Sequence, residues 1–330
     1  MNAVLQIAYG APERVLTLAR TPRPRYAADE VLIRVRASSV NTPDWITVTG
    51  IPYVLRLRSG LRKPATAVRG TDVAGVVEAV GADVTDLRPG DQVFGSLWSG
   101  SLTPKAGAFA EYTVTRPDTL LRKPAGLSFE DAAASVMSGL TALAAMRDVG
   151  EVGEGARVLI NGASGGVGTF AVQIAELLGA EVTGVCGHRN LELVRSLGAH
   201  HVIDYAEEDF TRGGRRFDVI LDNVLNHPPS RTVRALTPGG RFLPNSVGDA
   251  GRLLAGLPRI ARAQLLGLGS TDVRSVPIKA DRASLGDLAA LLESGEVKAV
   301  IDKVYPLAET PAAVAHMLSH RARGNIVITM

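Results

Sequence analysis

Arg157-Val-Leu-Ile-Asn161-Gly-Ala-Ser-Gly-Gly166-Val-Gly-Thr-Phe-Ala171-Val-Gln-Ile-Ala-Glu176-Leu-Leu-Gly-Ala-Glu181-Val-Thr-Gly-Val-Cys186 decides how the rest of the chain is read. Val158 to Ile160 is a short apolar run of the kind that forms a buried parallel strand. Ala163-Ser164-Gly165-Gly166-Val167-Gly168 follows at once, an A-x-G-x-x-G variant of the dinucleotide fingerprint. A helical period then runs through Val167, Ala171, Ile174, Ala175 and Leu178 and stops at Gly179. A second strand, Glu181 to Cys186, completes a β-α-β unit of about 30 residues, the size the fingerprint requires. Small residues let the backbone turn sharply and approach a pyrophosphate, and the helix N-terminus offers free N–H groups to it.

The same letters, Gly162-Ala163-Ser164-Gly165-Gly166, also spell G-x-S-x-G, the nucleophile elbow of α/β-hydrolases. A hydrolase would take Ser164 as nucleophile, with Asp222 and His316 or His320 as its partners. Gly168 and its small neighbours count against this, because a hydrolase has no need of close helix–phosphate approach. The strand-rich stretch before residue 125 is also foreign to it.

The 330 residues allow one large or two ordinary domains, each able to bury a core. Apolar residues make up 46% and charged residues 21%, as in ordinary globular chains. Lys plus Arg number 36 against 33 Asp plus Glu, with no long block of one sign, which excludes a nucleic-acid signature. Met1 to Ile7 reads as a strand, with neither a basic leader nor a cleavage site, and no apolar run reaches the ~18 residues of a membrane span. A cytoplasmic protein is expected. One cysteine, Cys186, excludes an intramolecular disulfide and any cysteine-rich zinc cluster.

Residues 2–9, 14–19, 31–37, 68–80 and 108–115 read as strands of an antiparallel region, with turns such as Pro89-Gly90-Asp91 between them. Ser128 is placed to cap a helix that runs to about Asp148. Beyond Cys186, helices and strands alternate: strands at 202–205, 217–223 and 241–247, the last after a Pro238-Gly239-Gly240 turn, and a helix at 228–236. A sixth strand is expected at 273–279 and an apolar helix within 253–266. This alternation implies an α/β, doubly wound parallel sheet. Two amphipathic helices, 284–293 and 309–320, and a closing strand, 326–329, end the chain.

In order and spacing, several stretches resemble the zinc-independent quinone oxidoreductases of the medium-chain dehydrogenase/reductase superfamily along nearly the full length. They include Asn41-Thr42-Pro43-Asp44-Trp45, Gly70-Thr71-Asp72-Val73-Ala74-Gly75-Val76-Val77, Gly107-Ala108-Phe109-Ala110-Glu111-Tyr112 and Gly139-Leu140-Thr141-Ala142. Asn161 to Gly168, Leu197-Gly198-Ala199, Ile203-Asp204-Tyr205, Asp218 to Asp222 and Arg323-Gly324-Asn325 continue the series. The resemblance implies a GroES-like β domain over residues 1–125 and 281–330, with a Rossmann domain at 126–280 inserted into it. It also implies a homodimer, and an active site in the cleft where the glycine loop faces the β domain. The family often has Lys where Asn325 stands and Ser where Gly187 stands, so two expected phosphate contacts are altered here. Some relatives with this fold are structural or RNA-binding proteins and not enzymes.

The alcohol-dehydrogenase branch carries Gly-His-Glu where this chain reads Gly70-Thr71-Asp72, and its Cys/His/Cys zinc cannot be built from one cysteine. His316 and His320 have i,i+4 spacing but no evident third ligand. Carbonyl reduction concentrates charge on one oxygen and benefits from a Lewis acid. Conjugate hydride addition to an enone or quinone spreads that charge, and a few oriented hydrogen bonds can hold it. An NADPH-dependent, metal-free reductase of a small quinone or enone is therefore expected. Asn41, Asp44 and Thr141 are its nominated catalytic residues, although Asn41 to Asp44 also suits a helix cap. Tyr53 is a candidate proton donor, and Arg56, Arg58, Arg62 and Lys63 read as a solvated loop. The cofactor set is Ala163, Ser164, Gly165, Gly166, Val167 and Gly168 with Cys186, Arg189, Tyr205, Asn223, Val247 and Asn325. NADPH is preferred over NADH because the second strand ends Cys186-Gly187-His188-Arg189-Asn190, with an arginine and no acid.

Overall fold

The computed structural model describes residues 1–98, 105–246, 253–254, 256–277 and 279–330. Its contacts divide the chain into two units, Met1–Leu140 with Lys279–Met330, and Thr141–Ile278.

The first unit is built on a seven-stranded sheet. Val31–Ser39 is its pivot, because it pairs antiparallel with Asp72–Val80, Tyr112–Thr115 and Asn325–Thr329. Val31, Ile33 and Val35 alternate inward and meet Val73, Val77, Val93 and Leu120 in one apolar cluster. The pairing of Val327 with Ser39 carries the C-terminal segment back into this unit. A two-stranded ribbon, Asn2–Gln6 with Leu16–Arg20, stands beside the sheet.

Helix Phe129–Leu143 starts where Ser128 caps it, the hydroxyl accepting from the Asp131 N–H at 2.9 Å. Most of its length packs within the first unit and not the nucleotide unit. The Met137 N–H donates to Asp72 Oδ2, Ser138 Oγ donates to Asn325 Oδ1, and Gly139 lies against Leu288. An added Cβ at Gly139 would sit 2.8 Å from a Leu288 methyl, so the glycine admits close helix contact. The helix continues as a wider π-helical turn, Ala144–Val149.

The second unit holds a six-stranded parallel sheet: His201–Asp204, Glu181–Cys186, Arg157–Asn161, Phe217–Asp222, Leu236–Pro244 and Asp272–Val273. Counted along this unit the order is third, second, first, fourth, fifth, sixth, the doubly wound arrangement expected. The strand order reverses between the first and fourth strands, and in such sheets ligands bind outside the carboxyl ends at that point. Leu159, Val185, Ile203, Ile220 and Phe242 form its core.

Two elements differ from expectation. The fifth strand begins at Leu236 and runs through Pro238-Gly239-Gly240, which forms an irregularity in the ladder and not a turn before it. The sixth strand is two residues, Asp272–Val273, and the apolar stretch before it is the helix Leu257–Leu266. Among the described residues no helix is long and apolar enough to cross a membrane.

Candidate cofactor site and the buried carboxylates

Strand Arg157–Asn161 ends in a turn whose glycines have different duties. Gly162 has φ +78°, a conformation that favours glycine. Gly165 precedes helix Gly166–Leu177, and its N–H donates to Gly162 O at 3.1 Å. At Gly168 an added Cβ would lie 2.1 Å from Gly162 O, so only hydrogen fits between helix and turn. At Gly165 the nearest atom to an added Cβ is 3.5 Å away. That position is open, which leaves the first N–H groups of the helix accessible to an anion.

Two half-buried amides bracket this turn. Asn190 Nδ2 donates to Ser164 Oγ at 3.0 Å, while its Oδ1 has no partner among the described residues. Asn223 Oδ1 accepts from Asn245 Nδ2 at 2.7 Å, while its Nδ2 is likewise unpartnered. A buried polar atom without a partner is costly, and one orphan acceptor and one orphan donor suit a ligand rich in hydroxyl and phosphate groups. A dinucleotide fits this donor set and this open glycine turn. Ser164 meets an asparagine and not a histidine, so the elbow geometry of a hydrolase is absent among the described residues.

Beside the turn, strand Glu181–Cys186 leads into a short 3-10 turn, His188–Asn190. Arg189 is exposed there and makes no hydrogen bond or ion pair among the described residues. Cys186 is buried, and burial with the nearby Asp204 charge pushes its thiol up to about 11, so it stays a thiol. Tyr205 is 65% exposed. Its hydroxyl would lie 3.0 Å from a Cβ added at Gly187, so the tyrosine occupies the space over this glycine.

An acid that strand-end reading overlooked is also here. Asp204 pairs in register with Cys186, accepts from the Ala206 N–H at 3.0 Å, and stands 3.4 Å from His188 Nδ1. It is 7% exposed and turned into its own loop. Val247 lies outside the described residues. Asn325 belongs to the first unit, where its amide is used: Oδ1 accepts from Ser138 Oγ at 2.6 Å and Nδ2 donates to Val300 O at 3.2 Å.

The first unit contains a second polar cluster, around Asp44 and Asp72. Asn41 precedes helix Thr42–Thr49, and its N–H donates to Asp44 Oδ2 at 2.8 Å in a capping box. Asp44 Oδ1 accepts from the Gly70 N–H at 3.0 Å. Asp72 Oδ2 takes three donors: Ser39 Oγ, Asn41 Nδ2 and the Met137 N–H, at 2.8, 2.8 and 3.0 Å. Its Oδ1 has no partner among the described residues. Asn41, Asp44 and Asp72 are 4%, 1% and 0% exposed. Burial raises Asp44 to about 7 against its hydrogen bonds, with the Asp72 charge adding to the rise, and burial raises Asp72 to about 7 as well. Arg69, also buried, is lowered to about 10 by desolvation, with Asp44 opposing the shift. Thr141 is buried on the helix that follows. Tyr53 is stacked face-on to the Arg56 guanidinium, 4.2 Å from its ring centre, with Tyr9 on the same guanidinium at 4.5 Å.

The donor set does not fit a catalytic zinc. The first unit has no cysteine, and Thr71 and Asp72 stand where a His-Glu pair would be. Both His316 ring nitrogens are engaged, Nδ1 with Tyr305 Oη at 3.0 Å and Nε2 with Asp302 at 3.1 Å. Among the described residues the three side chains that come together with possible ligand atoms are His188, Asp204 and Glu207, and the first and last of these are exposed.

Two family models match the chain: an alcohol dehydrogenase GroES-like domain over residues 27–125 and a zinc-binding dehydrogenase over residues 197–328. The chloroplast envelope quinone oxidoreductase homolog of Arabidopsis thaliana is 30% identical, across 99% of this chain and 98% of its own length. The solved quinone oxidoreductase of Coxiella burnetii superposes with a TM-score of 0.87 at 30% identity, covering 100% of this chain and 99% of that one. The Escherichia coli quinone oxidoreductase complexed with NADPH gives 0.82 at 26% identity, with both chains covered in full. With the doubly wound sheet, the GroES-like unit and the glycine turn all present, the chain belongs to the quinone oxidoreductase-like proteins of the medium-chain dehydrogenase/reductase superfamily.

Proposed function

We propose that the protein is an NADPH-dependent reductase that delivers hydride to a quinone or an α,β-unsaturated carbonyl, without a metal ion. The observation that carries this reading is the glycine turn with two amide atoms unpartnered among the described residues, Asn190 Oδ1 and Asn223 Nδ2, and the exposed Arg189 beside them. Bound there, reduced nicotinamide supplies the hydride. Gly165 to Gly168 would receive the pyrophosphate by backbone alone, and Arg189 would hold the 2′-phosphate with a forked pair of charged donors. Tyr205 adds its hydroxyl over Gly187, in place of the serine that the family often has at that position. Asn41 and Asp44 take a positioning role, because their polar atoms are spent on the start of helix Thr42–Thr49 and on Gly70, Thr71 and Asp72.

The choice of acceptor follows from charge. An enolate or hydroquinone anion distributes its charge, and oriented hydrogen bonds suffice to hold it. An isolated ketone would need an electrophile that the donor set of this chain does not supply. The relatives named as quinone oxidoreductases and the NADPH complex of one of them support the same choice. The test is NADPH oxidation followed at its absorbance maximum against a panel of quinones, short enones and 2-enoyl thioesters. Turnover with at least one of these, and none with saturated ketones, is expected. Tight NADPH binding without turnover of any acceptor would instead mark a nucleotide-binding protein without catalysis.

A further inference from the structure

We propose that Asp222 is a positioning residue for the cofactor turn, which it holds in shape through Asn161 and the turn Asn223–Asn226. The inference rests on the cofactor reading above. Asp222 closes strand Phe217–Asp222 next to Asn161 in the parallel ladder, and it is 0% exposed. One of its oxygens, Oδ1, accepts from Asn161 Nδ2 at 2.7 Å, from the Leu225 N–H at 2.8 Å and from the Val224 N–H at 3.1 Å. Asn161 spends its other amide hydrogen on Asn226 Oδ1 at 3.0 Å. Backbone bonds add to this, Asn223 N–H to Asn161 O at 3.1 Å and Asn245 N–H to Asp222 O at 2.9 Å.

The consequence reaches the glycine turn through packing. Val224, held by its N–H on Asp222, lies against Gly162, where an added Cβ would be 3.0 Å from a Val224 methyl. Leu225 takes φ +55° to make this possible, and its carbonyl is fastened by Arg259 Nη1 at 2.5 Å from helix Leu257–Leu266. Asn223, whose Nδ2 is one of the two unpartnered amides, is the first residue of the same turn. The carboxyl therefore sets both the pivot of the glycine turn and one of the groups offered to the ligand. Its second oxygen, Oδ2, is buried without a partner among the described residues, and burial raises the group above the usual carboxylate range. What the site uses is the single acceptor atom Oδ1, which an asparagine also has.

The experiment measures NADPH dissociation by fluorescence titration, and KM and kcat with a quinone acceptor, on the whole chain. Asn161→Ala and Asp222→Ala should weaken NADPH binding and raise its KM about tenfold or more. In both variants kcat at saturating NADPH should change less than about threefold, because the loops and not the reacting atoms are disturbed. Asp222→Asn keeps the acceptor and should recover most of the affinity that Asp222→Ala loses. If Asp222→Ala does not fold, Asn161→Ala and Asp222→Asn still decide. Unchanged affinity in Asn161→Ala, or an Asp222→Asn variant as weak as Asn161→Ala, overturns the inference while the cofactor reading stands. Failure of the wild type to bind NADPH overturns both.

Discussion

Arg189 stands exposed on a 3-10 turn with no partner among the described residues, which on the proposed function leaves it free for a 2′-phosphate. A hydrogen bond to a charged group is worth roughly 1.5–3 kcal/mol, so NADPH should be favoured over NADH by about ten- to a hundredfold. Arg189→Ala should erase most of that preference and leave NADH kinetics nearly unchanged, as measured by kcat/KM for each cofactor. The arginine was legible because it follows the second strand in sequence. Asp204 was not, since only the parallel register brings the end of the third strand beside Cys186. Burial was equally hidden at Asn41 and Asp44: residue type suggested polar contacts, but the fold closes them off. A pH dependence follows. Asp44 and Asp72 both bind a proton more tightly folded, at about 7, than at the ordinary value of 3.8. Their contribution to stability is thus fully present below the ordinary value and is lost as pH rises through about 7. The melting temperature should fall between about pH 4 and about pH 7, and Asp72→Asn, which keeps one acceptor oxygen, should flatten that slope. A melting temperature that climbs over this range would contradict a burial cost that outweighs the hydrogen bonds of these carboxyls.

Among elements, the strand–turn–helix of residues 157–177 was the most legible, because Gly162 and Gly168 answer backbone demands that a side chain would violate, while Gly165 leaves space open. The structure separates a closed glycine, Gly168, from an open one, Gly165, and two substitutions tell them apart. Gly168→Ala places a methyl 2.1 Å from the backbone oxygen of Gly162, which cannot swing aside as a side chain could. Overpacking of this kind costs about 1–3 kcal/mol, and the melting temperature should drop by several degrees. Gly165→Val meets no atom closer than 3.5 Å at its Cβ, so the fold should hold with little change in melting temperature. NADPH binding should nonetheless be abolished, because the side chain fills the space left for the pyrophosphate. Equal effects of the two variants on stability would show that the turn is merely tight and not open on one side. Less legible were the elements shaped by neighbours. Pro238-Gly239-Gly240 reads as a turn from composition, yet pairing with Phe217–Asp222 draws it into the fifth strand. Helix Phe129–Leu143 precedes the first strand of the second unit in sequence, but the Asp72 carboxyl and Leu288 hold it to the first.

Over the whole molecule, the two-unit division joins distant parts of the chain: Asn325–Thr329 pairs with Val31–Ser39, so the first unit is complete only once the last strand is in place. That topology is shared with zinc enzymes, and one of the matching family models is named for zinc binding. The chemistry of the donors points the other way. Four-coordinate protein zinc is held by thiolate, imidazole and carboxylate groups. The single cysteine of this chain is buried at a strand end with its thiol raised to about 11, far from the thiolate a metal requires. His316 is taken by Tyr305 and Asp302. Asp72, and Asp44 beside it, are closed in by Asn41, Ser39, Gly70 and Met137. Removing metal should therefore change nothing that depends on fold or chemistry. After prolonged dialysis against a strong chelator, turnover of a quinone by NADPH and the melting temperature should both match the untreated protein, and elemental analysis should find far less than one zinc per chain. Loss of turnover on chelation, restored by zinc, would show that a metal site is assembled from donors other than these, and the conjugate-addition mechanism would have to give way to one with a Lewis acid.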